Sequence, residues 1–229
     1  MGSVKVYGPP ASTAVARVLA CLLEKEVEFQ LIPVNMAKGS TKPPNTSRSR
    51  KPPFVDGNLG SVGRSESIPW VLLLLQQPFG QVPAFQDESI TLFGNKGLFG
   101  NGLLERASIE QWLEAEAQSF NPPSSVLVFQ LAFAPRMRLK QDPAVIEQNE
   151  GKLAKVLDVY ENRLEESRFL AGDDFTLADL SHLPNAQYIT GTDRGHLLTS
   201  RKNVNRWWEE ISSRPSWKKV VEMQKAPPS

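Results

Sequence analysis

Two short stretches of this 229-residue chain carry residue types in positions where they could do chemistry. One is Val82-Pro83 in "PFGQVPAFQD". Proline has no N–H to give to a sheet ladder, so it belongs at the start of a strand. An X-Pro bond held cis there would expose the backbone groups of Val82 for pairing with an extended ligand. An ordinary strand-start proline gives the same dipeptide. The other stretch is "YGPPASTAVARVLACLLEK", in which Ser12 follows a Gly-Pro-Pro turn and precedes Ala14, Val15, Val18, Leu19 and Leu22 at helical spacing. Ser12 therefore sits at a helix N-terminus. Its hydroxyl could donate to a bound thiolate, which the free N–H groups and the positive end of the helix dipole also favour over the thiol, with no base required. The competing reading is that Ser12 or Thr13 simply caps the helix.

The remaining reactive side chains are few. Cys21 is the single cysteine and lies well past the N-terminus of the first helix, which suits a small buried hydrophobe better than a nucleophile. One Cys with His182 and His196 supplies neither a disulfide framework nor a Cys-based zinc site, so no metal is expected. Lys plus Arg total 26 against 25 for Asp plus Glu, and a net charge of +1 sets up no field for nucleic acid or anionic lipid. The apolar run "IPWVLLLL" at 68–75 is far shorter than the roughly 20 residues of a membrane span. The N-terminus shows neither a secretory nor a transit pattern, and Val6 stands where a myristoylation motif wants Ser or Thr. A cytoplasmic protein without nucleic-acid or membrane partners is expected.

The elements that must position Ser12 and Val82-Pro83 follow from periodicity. "VKVY" at 4–7 and "VEFQLIPV" at 27–34 read as strands, and the helix between them makes a βαβ unit. "VPAF" and "SITLF" around Asp87-Glu88 read as an antiparallel hairpin. Between these, residues 43–75 are rich in Pro, Ser and Arg and lack periodicity. From Glu105 the pattern is helical: Ile109, Trp112, Leu113 and Phe120 share one face, as do Leu153, Val156, Leu157, Tyr160 and Leu164. Thr176 and Asp179 have the spacing of an acid-ended capping box, His182 just beyond them reads as a packing or hydrogen-bonding residue, and Pro215 interrupts the last helical stretch. The expected organisation is an α/β domain at 1–93, a linker at 94–104 and an all-helical domain at 105–229.

The segments "KVYGPPASTAVARVLACL", "QPFGQVPAFQD", "WLEAEAQSFNP", "EGKLAKVLDVYENRL" and "LAGDDFTLADLSHLPNAQY", in that order, resemble a plant glutathione S-transferase of the phi class. The resemblance covers residues 1–42 and 77–229. It implies a thioredoxin-like N-terminal domain that binds glutathione as co-substrate and an all-α domain that helps form a pocket for hydrophobic electrophiles, usually in a homodimer. Carried over by position, Ser12 would stabilise the glutathione thiolate. Gln81, Val82 and Pro83 would pair with the tripeptide backbone, Pro83 being the cis-proline, and Lys42 would hold the glycine carboxylate. Phe120 falls where the family lines the electrophile pocket, although a large apolar side chain on such a helix can equally be core.

The chain departs from that pattern at several points. Thr41 stands where the family has His beside the lysine, which weakens one anion contact. After the hairpin the family continues with Glu-Ser at the start of a third helix that grips the γ-glutamyl end; here Phe93 runs into "GNKGLFG", so that pair and the helix are missing. Residues 43–75 are an insertion in place of a short helix and loop. Translated intervening sequence and a skipped segment would leave these two marks. A smaller shortening falls at "QYITGTDRG". The expected function is conjugation of glutathione to electrophiles. The alternatives are a non-catalytic carrier of hydrophobic ligands, if the glutathione half is crippled, and a thiol–disulfide oxidoreductase, which would need Cys where Ser12 stands.

Overall fold

Alternating β-branched residues make Val4–Tyr7 a strand, β1, with Val4, Val6 and Tyr7 buried. The structure is a computed structural model that describes residues 4–32, 84–86 and 98–225. β1 runs parallel to β2 (Phe29–Ile32), with Val4 opposite Phe29 and Tyr7 opposite Ile32. On its other edge it pairs antiparallel with β3 (Ala84–Gln86), giving the order β2-β1-β3. Helix α1 (Thr13–Glu24) makes the crossover between the parallel strands and buries Val15, Ala16, Leu19, Ala20 and Leu22. It ends with Glu26 at φ 54°, where the Val27 N–H returns to the Leu22 carbonyl. This is the left-handed C-terminal turn that glycine usually supplies.

The βαβ unit and the first hairpin strand are thus as the sequence predicts. The second hairpin strand, the insertion at 43–75 and the segment in which the third helix is missing lie outside the described residues.

The helical half begins with a rod of alternating character: α2 (Leu103–Ala115), a π-helical turn at Glu116–Phe120, α3 (Asn121–Val128), a second π turn at Phe129–Phe133, and α4 (Ala134–Arg136). Each π turn ends one residue before a proline: Asn121 separates the first from Pro122-Pro123, and Ala134 the second from Pro135. A proline cannot return an N–H to the carbonyl four residues back, and the widened turn re-registers the ladder just ahead of it. The Asn121 N–H accordingly reaches the Glu116 carbonyl and the Ala134 N–H that of Phe129.

Helix α5 (Pro143–Glu166) starts at Asp142, whose carboxylate accepts from the N–H groups of Ala144 and Val145, and it buries Ile146, Leu153, Leu157, Tyr160 and Leu164. Helices α6 (Leu177–Leu180), α7 (Leu183–Thr190), α8 (His196–Thr199), α9 (Lys202–Ser212) and α10 (Pro215–Lys225) complete the bundle. The predicted capping box is present, with Thr176 at the N-cap of α6 and Asp179 reaching back to its N–H. The break before Pro215 is present as well.

One apolar cluster runs through both halves, from Val6, Leu19 and Ala20 to Leu157, Trp207 and Trp217. Polar links fasten the same seam. Arg214 holds Glu24 at the end of α1 with paired bonds of 2.7 and 2.8 Å, and Ser216 donates to the same carboxylate. No helix among the described residues is long and apolar enough to cross a membrane.

Candidate active site

The chain leaves β1 through Gly8, whose φ of 139° lies in the region that favours glycine and whose N–H bonds to the Ile32 carbonyl at 3.1 Å. Pro9 and Pro10 stiffen the turn. The Ser12 N–H closes it onto the Pro9 carbonyl at 3.0 Å, and the Ser12 carbonyl accepts the first helical bond from Ala16 at 2.9 Å. Ser12 is therefore the N-cap of α1, with the extended backbone (φ −69°, ψ 128°) of that position. Its side chain makes no capping hydrogen bond. The partly exposed hydroxyl is left, among the described residues, to donate to a group placed at the helix N-terminus.

The turn that carries Ser12 is pinned from the helical half. The Tyr188 hydroxyl on α7 donates to the Ala11 carbonyl at 2.8 Å, and the Gln224 amide on α10 donates to the Pro10 carbonyl at 3.1 Å. Farther along α1, Arg17 donates to the Ser181 carbonyl at 2.8 Å and to the Glu116 carboxylate at 2.7 Å. Burial pushes the Glu116 carboxyl up from its ordinary value, and the charge of Arg17 and its hydrogen bond pull it back.

A cavity of about 480 Å³ opens beside this turn, with Ala11 in its wall. Leu131 and Ala132 from the second π turn, Val221 from α10 and Tyr188 supply its apolar surface, and Arg136 stands at the Tyr188 ring with its guanidinium carbon 5.8 Å from the centroid. Phe133 packs edge-on to the same ring at 5.1 Å. Burial raises the Tyr188 phenol, while the charge of Arg136 lowers it. Leu131 and Ala132 reach the cavity from within the π turn Phe129–Phe133. A larger cavity of about 830 Å³ lies between the start of α5 and the loop after α7. It is bordered by Glu150 and Arg194, which pair at 2.8 Å, and includes no residue of the Ser12 turn.

The site residues expected from the sequence separate into groups. Ser12 stands at the helix N-terminus. Lys42, Gln81, Val82 and Pro83 lie outside the described residues. Ala84, which follows Pro83, pairs with Tyr7, so the chain comes back beside the strand that leads to Ser12. Phe120 packs inside the bundle: it is 0 % exposed, its ring lies 6.1 Å from and nearly parallel to that of Tyr160, and its centroid is 4.5 Å from that of His182. Phe120 belongs to the core cluster of the bundle and is absent from the wall of this cavity, which is the core alternative that the sequence also allowed. Leu131, Arg136 and Tyr188 are in the wall of the cavity, and periodicity could only mark them as helical.

The quieter readings are visible too. Cys21 is partly buried, and desolvation pushes its thiol up, away from nucleophilic character. His182 is fully buried, with Nδ1 2.7 Å from the Ala178 carbonyl and Nε2 2.9 Å from the Tyr160 hydroxyl. A carbonyl only accepts, so Nδ1 carries the proton and Nε2 accepts from the phenol.

A sequence model described as "Glutathione S-transferase, C-terminal domain" matches residues 120–215. Glutathione S-transferase F11 of Arabidopsis thaliana is 40% identical over 236 residues, covering 96% of this chain and 98% of the relative. The chain belongs to the glutathione S-transferase family. The crystal structure of glutathione transferase F2 from Populus trichocarpa superposes on this family member with a TM-score of 0.81 at 58% identity, over 98% of this chain and 100% of the other. Glutathione S-transferase I from maize, in complex with an atrazine glutathione conjugate, does so with a TM-score of 0.80 at 28% identity, over 99% and 100%. The fold is thus that of the glutathione S-transferases, with a small thioredoxin-like sheet and an all-α second half.

Proposed function

We propose that this protein is a phi-class glutathione transferase that uses Ser12 to hold reduced glutathione as its thiolate. The observation that carries the reading is the hydroxyl of Ser12 at the N-terminus of α1, which makes no capping bond among the described residues, beside a cavity of mixed apolar and cationic wall at the junction with the helical half. The Ser12 hydroxyl donates to the sulfur, and the unpaired N–H groups of the first turn add positive potential. Both lower the thiol pKa toward working pH. The thiolate then attacks an electrophilic carbon in the cavity; a C–S bond forms and the leaving group departs with its electron pair. Lys42, Gln81, Val82 and Pro83 hold the tripeptide in this reading, Lys42 at the glycine carboxylate and the other three along its backbone.

The F-type names of the Arabidopsis and poplar relatives support the class assignment. Leu103 and Leu104 are 84% and 85% exposed at the start of α2, which supports a homodimer with apolar surface at its contact. A cytoplasmic location fits the same reading. Calorimetric titration with glutathione, with conjugation assays on the native protein and Ser12→Ala, tests the core of it. We expect saturable binding and a fall of about 10²-fold in kcat/KM for the variant, the size of losing one donor to a developing or bound anion. A folded protein that takes up no glutathione overturns the transferase reading in favour of a ligand carrier.

A further inference from the structure

The lining of the cavity beside Ser12 is one-sided in charge. Arg136 and Lys225 both border it, and no Asp or Glu does among the described residues. Three other cavities among the described residues all contain carboxylates: Glu147, Glu150 and Asp193 in the one at the start of α5, Asp173 and Asp174 with Glu105 in a second, and the same two aspartates with Glu210 in a third. Neither cation is engaged in an ion pair among the described residues. Arg136 lies instead over the Tyr188 ring. The apolar part of the wall, with Leu131, Ala132, Val221 and the Tyr188 face, matches a flat apolar body, and Gln187, Thr192 and Gln224 add neutral polar groups beside it.

Resting on the transferase reading, we propose that this cavity selects aromatic electrophiles that carry an anionic group, a carboxylate or sulfonate, over their neutral analogues. The ring of such a molecule lies against Tyr188 and Leu131, with its reactive carbon toward the Ser12 turn. Its anion lies toward the cavity side formed by Arg136 and Lys225. Arg136 offers a planar fork suited to a carboxylate, and Lys225 a second positive charge from the end of α10. Both groups are exposed, so the preference is moderate and sensitive to salt.

The chemistry that tests it is nucleophilic aromatic substitution. With 4-chloro-3-nitrobenzoate, the glutathione sulfur bonds to the ring carbon that bears chlorine, and chloride leaves with the bonding pair. The methyl ester of the same acid is the neutral comparator, with the same leaving group. The quantity read is the ratio of kcat/KM for the acid to that for the ester, in the native protein, in Arg136→Gln/Lys225→Gln, and in the charge-preserving Arg136→Lys/Lys225→Arg. We expect the ratio to fall about five- to tenfold in the glutamine variant, to stay within about twofold in the charge-preserving one, and to fall with added salt only where the cations remain. A ratio that is the same in all three overturns the proposal. If the native protein conjugates neither compound, the transferase reading fails. The anion preference is then read by equilibrium binding of the same acid and ester. Tighter binding of the acid that is lost in the glutamine variant supports it, and equal binding overturns it.

Discussion

The hydroxyl of Tyr188 donates to the carbonyl of Ala11 at 2.8 Å, across 177 residues of chain, and so fixes the residue immediately before Ser12. Gln224 does the same one residue earlier, at the Pro10 carbonyl. A serine that acts by donating one hydrogen bond depends on its placement to within a fraction of an ångström, and its own side chain has no capping bond to anchor it. Tyr188 and Gln224 are positioning residues in this geometry. They also join the wall of the cavity to the turn on which the thiolate would form.

Tyr188→Phe removes the hydroxyl and keeps the ring in the cavity. A hydrogen bond of this kind contributes about 1 kcal/mol, so kcat/KM for conjugation should fall about fivefold. The pH–rate profile separates positioning from simple loss of packing. Its acid limb should move to higher pH, as expected when Ser12 holds the thiolate less well, while the melting temperature changes little. An unchanged profile would leave Tyr188 with a packing role only.

Arg17 and Glu116 form a second tie between the halves, and the two partners are unequally buried: 28% of the Arg17 side chain is exposed against 6% for Glu116. Removing the cation strands a buried carboxylate whose pKa burial already raises. Arg17→Ala should cost about 3 kcal/mol of stability in urea unfolding. Glu116→Gln keeps an oxygen for the guanidinium and removes the buried charge, and should cost about 1 kcal/mol or less. Equal losses in the two variants would show that the pair acts through something other than the buried charge.

The parts of the fold that were legible in the sequence are those set by local chemistry. The alternation of Val4 and Val6 marks β1, the Gly-Pro-Pro turn marks the start of α1, Thr176 and Asp179 mark a capping box, and Pro215 marks a helix break; each needs only neighbours along the chain. The π turns before Pro122 and Pro135 carry no periodicity signal, because they re-register backbone bonds without changing which residues are apolar. That is why Phe120, apolar and on the expected face, could not be placed in the core or in the pocket from spacing alone. Tyr188 and Gln224 escaped for another reason. Their partners lie 177 and 214 residues away, and the sequence pattern names a buried face without naming what it touches.

Asp179 shows how far the capping box reaches beyond its own helix. Its carboxylate accepts from the N–H groups of Leu170 and Thr176, both at 3.0 Å, and from the Trp207 indole at 2.9 Å. The residue is fully buried, which drives its pKa up, with these donors opposing. Asp179→Ala leaves three buried donors without an acceptor, each costing about 1–3 kcal/mol, and should abolish stable folding at 37 °C. Asp179→Asn keeps one oxygen and should retain a cooperative but lower unfolding transition. If the alanine variant melts with the native protein, this carboxylate does not anchor α9 to the start of α6.

His182 gives the helical half a pH dependence of definite sign. The ring is fully buried as the Nδ1–H tautomer between Ala178 and Tyr160, and burial pushes its pKa down from 6.5 to about 3. The unfolded chain therefore binds a proton near pH 6.5 that the folded one refuses. Stability from this residue is complete above about pH 6.5 and is lost as pH falls toward 3, by up to about 1.4 kcal/mol per pH unit. Glu116 and Asp179, with pKa values raised by burial, contribute in the opposite sense, favouring the fold at lower pH. The His182 share is isolated by comparison with His182→Gln, which accepts and donates in the same space but does not titrate. Unfolding free energies measured from pH 7.5 to 4.5 should fall more steeply in the native protein than in this variant, and the two curves should converge toward acid. Parallel curves would mean that His182 takes up a proton without leaving its bonds to Ala178 and Tyr160.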